Sequence, residues 1–371
     1  METNLQQRLR SLDALRGFDM FWILGGGKIF ITLAAITGTP VLGWWAGQME
    51  HTQWAGCTFY DMIFPLFLFI AGISFPFSVA KSVQKGLSRK AIHLRVVRRG
   101  FVLVLLGMIY NGLLAFDFST IRYASVLGRI GLAWMFAALI FMNTKRLSTR
   151  VIWCAGCLIF YWLLLTFVSA PDSSGAARFS MEGNFTSYID RLFLPGRLHL
   201  GIHDPEGLLG IIPAIATAML GMFTGEFVRR RKDGLSETKK CGYMAIAGVA
   251  LILIGQVWNI IFPINKNLWS SSFVCFVGGI SLLLFCLFYF IIDVRKYQKW
   301  SFFFAIIGLN SITIYLGQRI IDFHYTTKFL FGGILGCFPD IWSAFLGATA
   351  YIGVCWCFLY FLYKQKIFLK V

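Results

Sequence analysis

The sequence predicts an all-α polytopic membrane protein: a single transmembrane domain over residues 1–371, about ten membrane helices, both termini cytoplasmic. Three observations predict it. Of 371 residues, 57% are hydrophobic and only 14% charged, and the mean hydropathy is +0.70, outside the range of soluble domains. Apolar runs long enough to cross a hydrocarbon core recur near 17–36, 57–80, 95–114, 122–142, 149–168, 207–228, 241–261, 269–292, 301–321 and 340–363, leaving no room for a soluble domain. Most of the 34 lysines and arginines then fall on one side of that threading. They cluster at Arg8, Arg10 and Arg16, in 81–99, at Lys145, Arg146 and Arg150, in 229–240, at Arg295, Lys296 and Lys299, and at Lys364, Lys366 and Lys370. This is the positive-inside pattern. It assigns the net charge of +17 to topology and lipid contact, and argues against a nucleic-acid partner.

The first run opens as "RLRSLDALRGFDMFWILGGGK". Ser11 to Asp13 supply capping groups, and Arg16 follows Asp13 at ion-pair spacing. Arg16 is either a cytoplasmic anchor or a contact for an anionic ligand at the membrane face. Gly25, Gly26 and Gly27 weaken a helix by roughly 1 kcal/mol each relative to alanine. Lys28 comes directly after them, inside the run, where a charge reads as functional by default. The first run has no A-x-A-like exit, so it reads as an anchor and not a cleaved signal. The stretch "EHTQWAGCTFYD" then sets Glu50, His51, Trp54 and Asp61 just ahead of "MIFPLFLFIAG". A neutral imidazole beside a carboxylate is the usual recipe for a general base near neutral pH.

Arg95, Arg98 and Arg99 sit at the inner mouth of the third run, and Arg129 is a cation within the fourth. The Cys154-x-x-Cys157 pair lies in an apolar run and reads as packing, with no disulfide framework and no metal site. The longest connection, 169–206, holds His199, His203, Asp204 and Glu206 on the outer side, so four of the five histidines (His51, His199, His203, His324) face outward. His199 and His203 have H-x-x-x-H spacing, but Gly201 between them argues against a ligand-bearing helix. Asp204, Pro205 and Glu206 read as a helix start, or with His51 and Asp61 as the wall of an outward chamber. Farther on, "INKNLW" offers Asn265, Asn267 and Trp269 to an acceptor or a polarised carbonyl. Cations within, a glycine-lined middle and a His/Asp chamber outside suit an anionic cytosolic donor whose thin arm threads outward.

The motifs "RLRSLDALRGF", "GGGK", "HTQWAG", "YDMIFPLFLFIAG", "YIDRLFLPGRLHL", "HDPEGLLGIIPAIATAMLG", "INKNLWSSSFV" and "NSITIYLG" resemble, in this order, the heparan-alpha-glucosaminide N-acetyltransferase family. The resemblance runs from about residue 8 to 320 and implies the membrane core of that family, without the extra lumenal domain and leading helix of its lysosomal members. It implies a transmembrane acetyltransferase that carries an acetyl group from cytosolic acetyl-CoA to an amino sugar or glycan acceptor across the bilayer. The family's catalytic histidine, in H-x-x-W-x-G, falls on His51, with Trp54 and Gly56 completing the motif. The aspartate of D-x-x-F-P falls on Asp61. An asparagine that family members place before the glycine triplet is replaced by Ile23 and Leu24, and the 28–51 connection is longer.

The resulting expectation has the nucleotide of acetyl-CoA on Arg16, Arg98, Arg99 and Arg129, with its arm passing Gly26, Gly27 and Lys28. His51 acts as base or transient acetyl carrier, oriented by Asp61. Glu50, Trp54, His199, Asp204, Glu206, Asn265, Asn267 and Trp269 bind the acceptor. No metal is expected, and a homodimer is compatible with the sequence. An O-acetyltransferase of envelope polysaccharide and a transporter of an anionic or sugar substrate are the alternatives. Transport folds often carry broken helices in both halves, and only one glycine-broken segment is visible, near the N-terminus. The lack of targeting additions points to a bacterial inner membrane.

Overall fold

A computed structural model describes residues 9–173, 175–230 and 235–369. Arg8, Arg231, Lys232 and Lys370, counted above with the basic side, lie outside the described residues. Fifteen helices, α1 to α15 in chain order, carry the fold among those residues. They are Arg10–Phe21, Gly27–Thr37, Pro40–Gln48, Ile63–Gln84, Arg89–Tyr110, Val126–Asn143, Leu147–Phe167, Phe185–Phe193, Ile211–Arg229, Glu237–Asn259, Ser271–Phe288, Phe302–Leu309, Ser311–Ile320, Phe323–Leu335 and Asp340–Lys364. A π-helical turn, Trp22–Gly26, joins α1 to α2.

Among the described residues, eight helical spans are long and apolar enough to cross a membrane, or nine if the bent pair α12–α13 counts as one. The sequence predicted about ten. The difference lies in α5, read as a span, whose first half carries Arg89, Lys90, Arg95, Arg98 and Arg99. It nonetheless packs along α6, where Gly100 and Gly131 let the backbones meet: a Cβ on Gly131 would lie 2.7 Å from the Gly100 carbonyl oxygen. The protein is an all-α, multi-pass integral membrane protein.

Small residues set the tightest crossings, as expected where lipid is as apolar as the side chains and only close packing is gained by contact. Gly17 of α1 meets α12 at Gly308, and a Cβ on Gly17 would lie 1.7 Å from the Phe304 carbonyl oxygen. Gly72 of α4 meets Gly221 of α9 in the same way. The main core gathers Leu68, Ala71 and Phe75 of α4, Trp134 and Ala137 of α6, Met219 and Met222 of α9, and Phe273 and Val277 of α11.

Two breaks interrupt the helices. Gly25 holds φ 104 inside the π-helical turn, a backbone that favours glycine. Between α12 and α13 the axis turns by 69° at Asn310. Only one broken segment is visible in the sequence; the structure adds this one, and the helices that lead into the two breaks, α1 and α12, cross at Gly17 and Gly308. The signal was faint because a single glycine, Gly308, stands near the bend, without the glycine run that marks the first break. All nine cysteines are free, and Cys154 packs in the core as expected.

Candidate active site

Two loops at one end of the bundle carry the site: 49–62, leading into α4, and 260–270, leading into α11. The Gly56 N–H donates to the Ile264 carbonyl at 2.8 Å. Gly56 sits at φ 108, so this turn needs glycine. Asn267 Nδ2 donates to the Trp54 carbonyl at 3.2 Å, and Trp54 Nε1 donates to the Phe179 carbonyl at 2.7 Å. Trp54 stands edge-on to His203 at 5.2 Å. His203 is buried and doubly satisfied: Nε2 donates to the Asn267 carbonyl at 3.0 Å, and Nδ1 accepts from the Ser187 hydroxyl at 2.9 Å. Burial pushes its pKa down to about 4. His203 is thus a neutral strut of the frame.

Within this frame His51 Nδ1 lies 2.7 Å from Asp61 Oδ1. The other oxygen, Asp61 Oδ2, accepts from Thr52 N (3.3 Å), Thr52 Oγ1 (3.1 Å), Thr58 N (3.1 Å) and Thr58 Oγ1 (3.1 Å). Four donors on one oxygen favour the carboxylate form. Asp61 is fully buried, while the His51 side chain is half exposed. The carboxylate takes the Nδ1 hydrogen, which leaves Nε2 with its lone pair at the open side, the logic of a catalytic triad's imidazole. Lys266 closes the group, with Nζ 3.0 Å from His51 Nδ1 and 3.4 Å from Asp61 Oδ1. The Tyr60 ring flanks the imidazole at 4.8 Å. The thiol of Cys57, next along the loop, is pushed up to about 12 by burial and the Asp61 charge, so it is no nucleophile here.

A second polar node braces the same end. Arg122 Nε donates to Asp204 Oδ2 at 2.7 Å, its NH2 to Asp204 Oδ1 at 2.6 Å, and also to Glu206. Burial opposes ionisation of Asp204, but the Arg122 bonds and charge outweigh it and hold the carboxyl low. Deeper in, Asp190 Oδ1 accepts the Leu208 N–H at 2.9 Å, and Oδ2 has no hydrogen-bond partner among the described residues. Burial pushes Asp190 up to about 7. Arg129 donates to the Gly207 carbonyl at 3.1 Å and lies 5.0 Å from the Trp269 ring.

The remaining cations lie apart. Arg16 donates to the Ser74 hydroxyl at 3.0 Å; Arg99 stacks over Trp134 at 4.4 Å; and Trp134 donates to the Ala71 carbonyl at 3.2 Å. Ala71 and Ser74 are one turn apart on α4, so α1, α4, α5 and α6 bring Arg16 and Arg99 towards one level of the bundle.

The grouping of Arg129 needs correction, and the other expected residues take the following places. Arg129 does not join Arg16 and Arg99: it sits in the first turn of α6, bound to the Gly207 carbonyl at the His51 end. Arg98 and Lys28 are exposed. Asn265, Asn267 and Trp269 are spent on the frame. Asn265 Oδ1 accepts the Leu268 N–H at 3.1 Å, and buried Trp269 donates to Thr217 Oγ1 at 3.2 Å. Asp204 and Glu206 do not reach His51 but pair with Arg122. His199 is exposed, its pKa lowered by partial burial and by Arg122. Glu50 is exposed beside the site, and its carbonyl accepts from Thr58 Oγ1 at 2.7 Å. Gly26 packs on the Phe21 ring, and Gly27 faces Met49.

Four residues were missed by sequence reasoning: Lys266, Arg122, Asp190 and Asp19. Asp19 is fully buried, and neither of its oxygens finds a partner among the described residues. A carboxylate inside an apolar run was the signal for it. Lys266 lies between Asn265 and Asn267 in a polar loop, where a lysine carries no distinctive signal. Among the described residues, no group of three or more His, Cys, Asp or Glu could hold a metal ion.

No family model matches the chain. It is 28% identical over 426 aligned residues to heparan-alpha-glucosaminide N-acetyltransferase of Homo sapiens, covering 99% of this chain and 60% of that protein. It is 26% identical over 422 residues to the Mus musculus protein of the same name, covering 98% of this chain and 60% of that one. The chain thus spans about three-fifths of the length of the curated relatives it matches. The resemblance read from the motifs is borne out: along almost all of its length, the chain is similar to two proteins named heparan-alpha-glucosaminide N-acetyltransferase.

Proposed function

We propose that the protein is a membrane acetyltransferase that moves the acetyl group of cytosolic acetyl-CoA to an amino sugar on the other face of a bacterial inner membrane, with both termini cytoplasmic. The observation that carries the proposal is the His51–Asp61 contact at 2.7 Å, in which a buried carboxylate, held by four protein donors, aims a half-exposed imidazole. The names of the two relatives support the reaction class. In this reading His51 Nε2 takes the acceptor's proton, or carries the acetyl group in transit, while Asp61 fixes the tautomer. Arg16 and Arg99 are the donor-phosphate contacts on the far side of the bundle.

The test is incubation of detergent-purified protein with radiolabelled acetyl-CoA and glucosamine. Wild type forms acetylglucosamine, and His51→Ala binds acetyl-CoA but loses activity by about 10²-fold or more. Wild type that binds no acetyl-CoA overturns the proposal. Acetylation of hydroxyl-only sugars in place of glucosamine would move the acceptor to the O-acetyl class.

One observation favours transport as a second reading: helix breaks in both halves, at Gly25 and Asn310, each following one of the crossing helices α1 and α12. Acetyl-CoA binding discriminates, since transport of another substrate does not require it.

A further inference from the structure

Lys266 has no role in the base chemistry assigned to His51 and Asp61, yet its ammonium is the closest cation to both. Nζ lies 3.0 Å from His51 Nδ1, 3.4 Å from His51 Nε2 and 3.4 Å from Asp61 Oδ1. These contacts are unequal in kind. Nδ1 shares its hydrogen with Asp61 at 2.7 Å, so it has no lone pair left for an ammonium. Lys266 is therefore anchored by the Asp61 carboxylate, one charge against one charge. Asp61 Oδ2 is already occupied by Thr52 and Thr58, which confines Lys266 to the side where Oδ1 and the imidazole meet. The Lys266 side chain is only 14% exposed. Nζ thus stands beside Nε2, the atom assigned to the chemistry.

We infer that Lys266 is the oxyanion-stabilising residue of acyl transfer at this site; the inference rests on the acetyltransferase reading above. In the step, the acceptor amine attacks the thioester carbonyl carbon. A C–N bond forms, the carbonyl π pair moves to oxygen, and the amine proton passes to His51 Nε2. The site has then gained one positive charge on the imidazole and one negative charge on the former carbonyl oxygen. Lys266 meets that oxygen and Asp61 meets the imidazolium, so each new charge faces its opposite in a fixed position. Collapse breaks the C–S bond, and the proton on Nε2 goes to the departing thiolate, giving the acetylated amine and free CoA. The same placement serves attack by Nε2 itself, because the oxyanion then forms on a carbon bonded to Nε2. A cation fixed before the reaction is worth more than water, which would have to reorient as charge develops.

A merely structural Lys266, tethering the 260–270 loop to Asp61, would behave differently, and kinetics separate the two. Lys266→Met and Lys266→Arg are purified and assayed with acetyl-CoA and glucosamine, with thermal unfolding and acetyl-CoA binding measured on each. The expected result is a fall in kcat on the order of 10²–10³-fold for Lys266→Met, with KM for acetyl-CoA within about three-fold of wild type. Lys266→Arg, which keeps the charge, recovers about ten-fold or more of that loss. If Lys266→Met does not fold, Lys266→Gln, uncharged and similar in length, is judged by the same figures. An uncharged variant with kcat within about three-fold of wild type overturns the inference. So does a rise in KM with kcat preserved, which marks ground-state binding alone. Failure of wild type to make product would strike the acetyltransferase reading instead, so the two failures are distinguishable.

Discussion

His51 keeps Nε2 at an open mouth while its other nitrogen is clamped to a buried carboxylate, and that asymmetry defines what single substitutions do. Asp61→Asn keeps the volume but offers an amide where Thr52 and Thr58 donate and where His51 needs an acceptor. The imidazole loses its imposed tautomer. We expect kcat to fall on the order of 10²–10⁴-fold with acetyl-CoA binding retained, read by single-turnover assay and equilibrium binding. Two other residues govern stability and not chemistry. The pKa of His203 lies near 4 in the fold, below the ordinary 6.5. The unfolded chain therefore takes up its proton first as pH falls, and the stability this site contributes, present above about pH 6.5, is lost towards pH 4. Asp190 runs the other way, raised by burial from 3.8 to about 7. The folded state holds its proton longer, so its contribution is present at low pH and is lost as pH rises through 7. Asp190→Asn should accordingly raise the unfolding midpoint relative to wild type more at pH 8 than at pH 5. Equal shifts at both pH values would refute this.

At the scale of elements, two glycines do work no other residue can. Gly56 at φ 108 turns the loop so that its N–H reaches Ile264, which ties the His51 loop to the Lys266 loop. Gly56→Val should cost about 1–3 kcal/mol in strain and separate His51 from Lys266, with activity falling further than stability. Gly17 admits α12 against α1 with no room for a Cβ. Gly17→Val should therefore destabilise the bundle by about 1–3 kcal/mol or more without touching the His51 loop. Thermal unfolding in detergent, compared with residual activity per folded molecule, tells the two effects apart.

At the scale of the whole molecule, the basic clusters predict how the bundle sits in its membrane. Arg150 and Glu226, Lys240 and Glu237, and Ser11 and Asp293 meet at one end. The His51 loop, the Arg122–Asp204 pair and His203 occupy the other. With the basic end cytoplasmic, a fluorescent protein fused at the C-terminus lights up, and alkaline phosphatase fused after residue 200 is active. The reverse pattern would invert the donor and acceptor faces proposed here.

Sequence alone determined the class of fold, because apolar runs and the placement of arginine and lysine answer to the membrane and not to particular partners. It also singled out His51 and Asp61 as a pair, ten residues apart, and the two side chains meet at 2.7 Å. The tertiary structure decided which cations share a site, since that depends on which helices touch. Arg129 left the donor group because one turn of α6 carries it to the Gly207 carbonyl, and His203 became a strut because Ser187 and Asn267 close on both its nitrogens. Lys266, 215 residues from His51 in the chain, reached it only because Gly56 pairs with the 264–265 segment. No periodicity or spacing encodes a contact of that range; it exists once the two loops are packed on one end of the bundle.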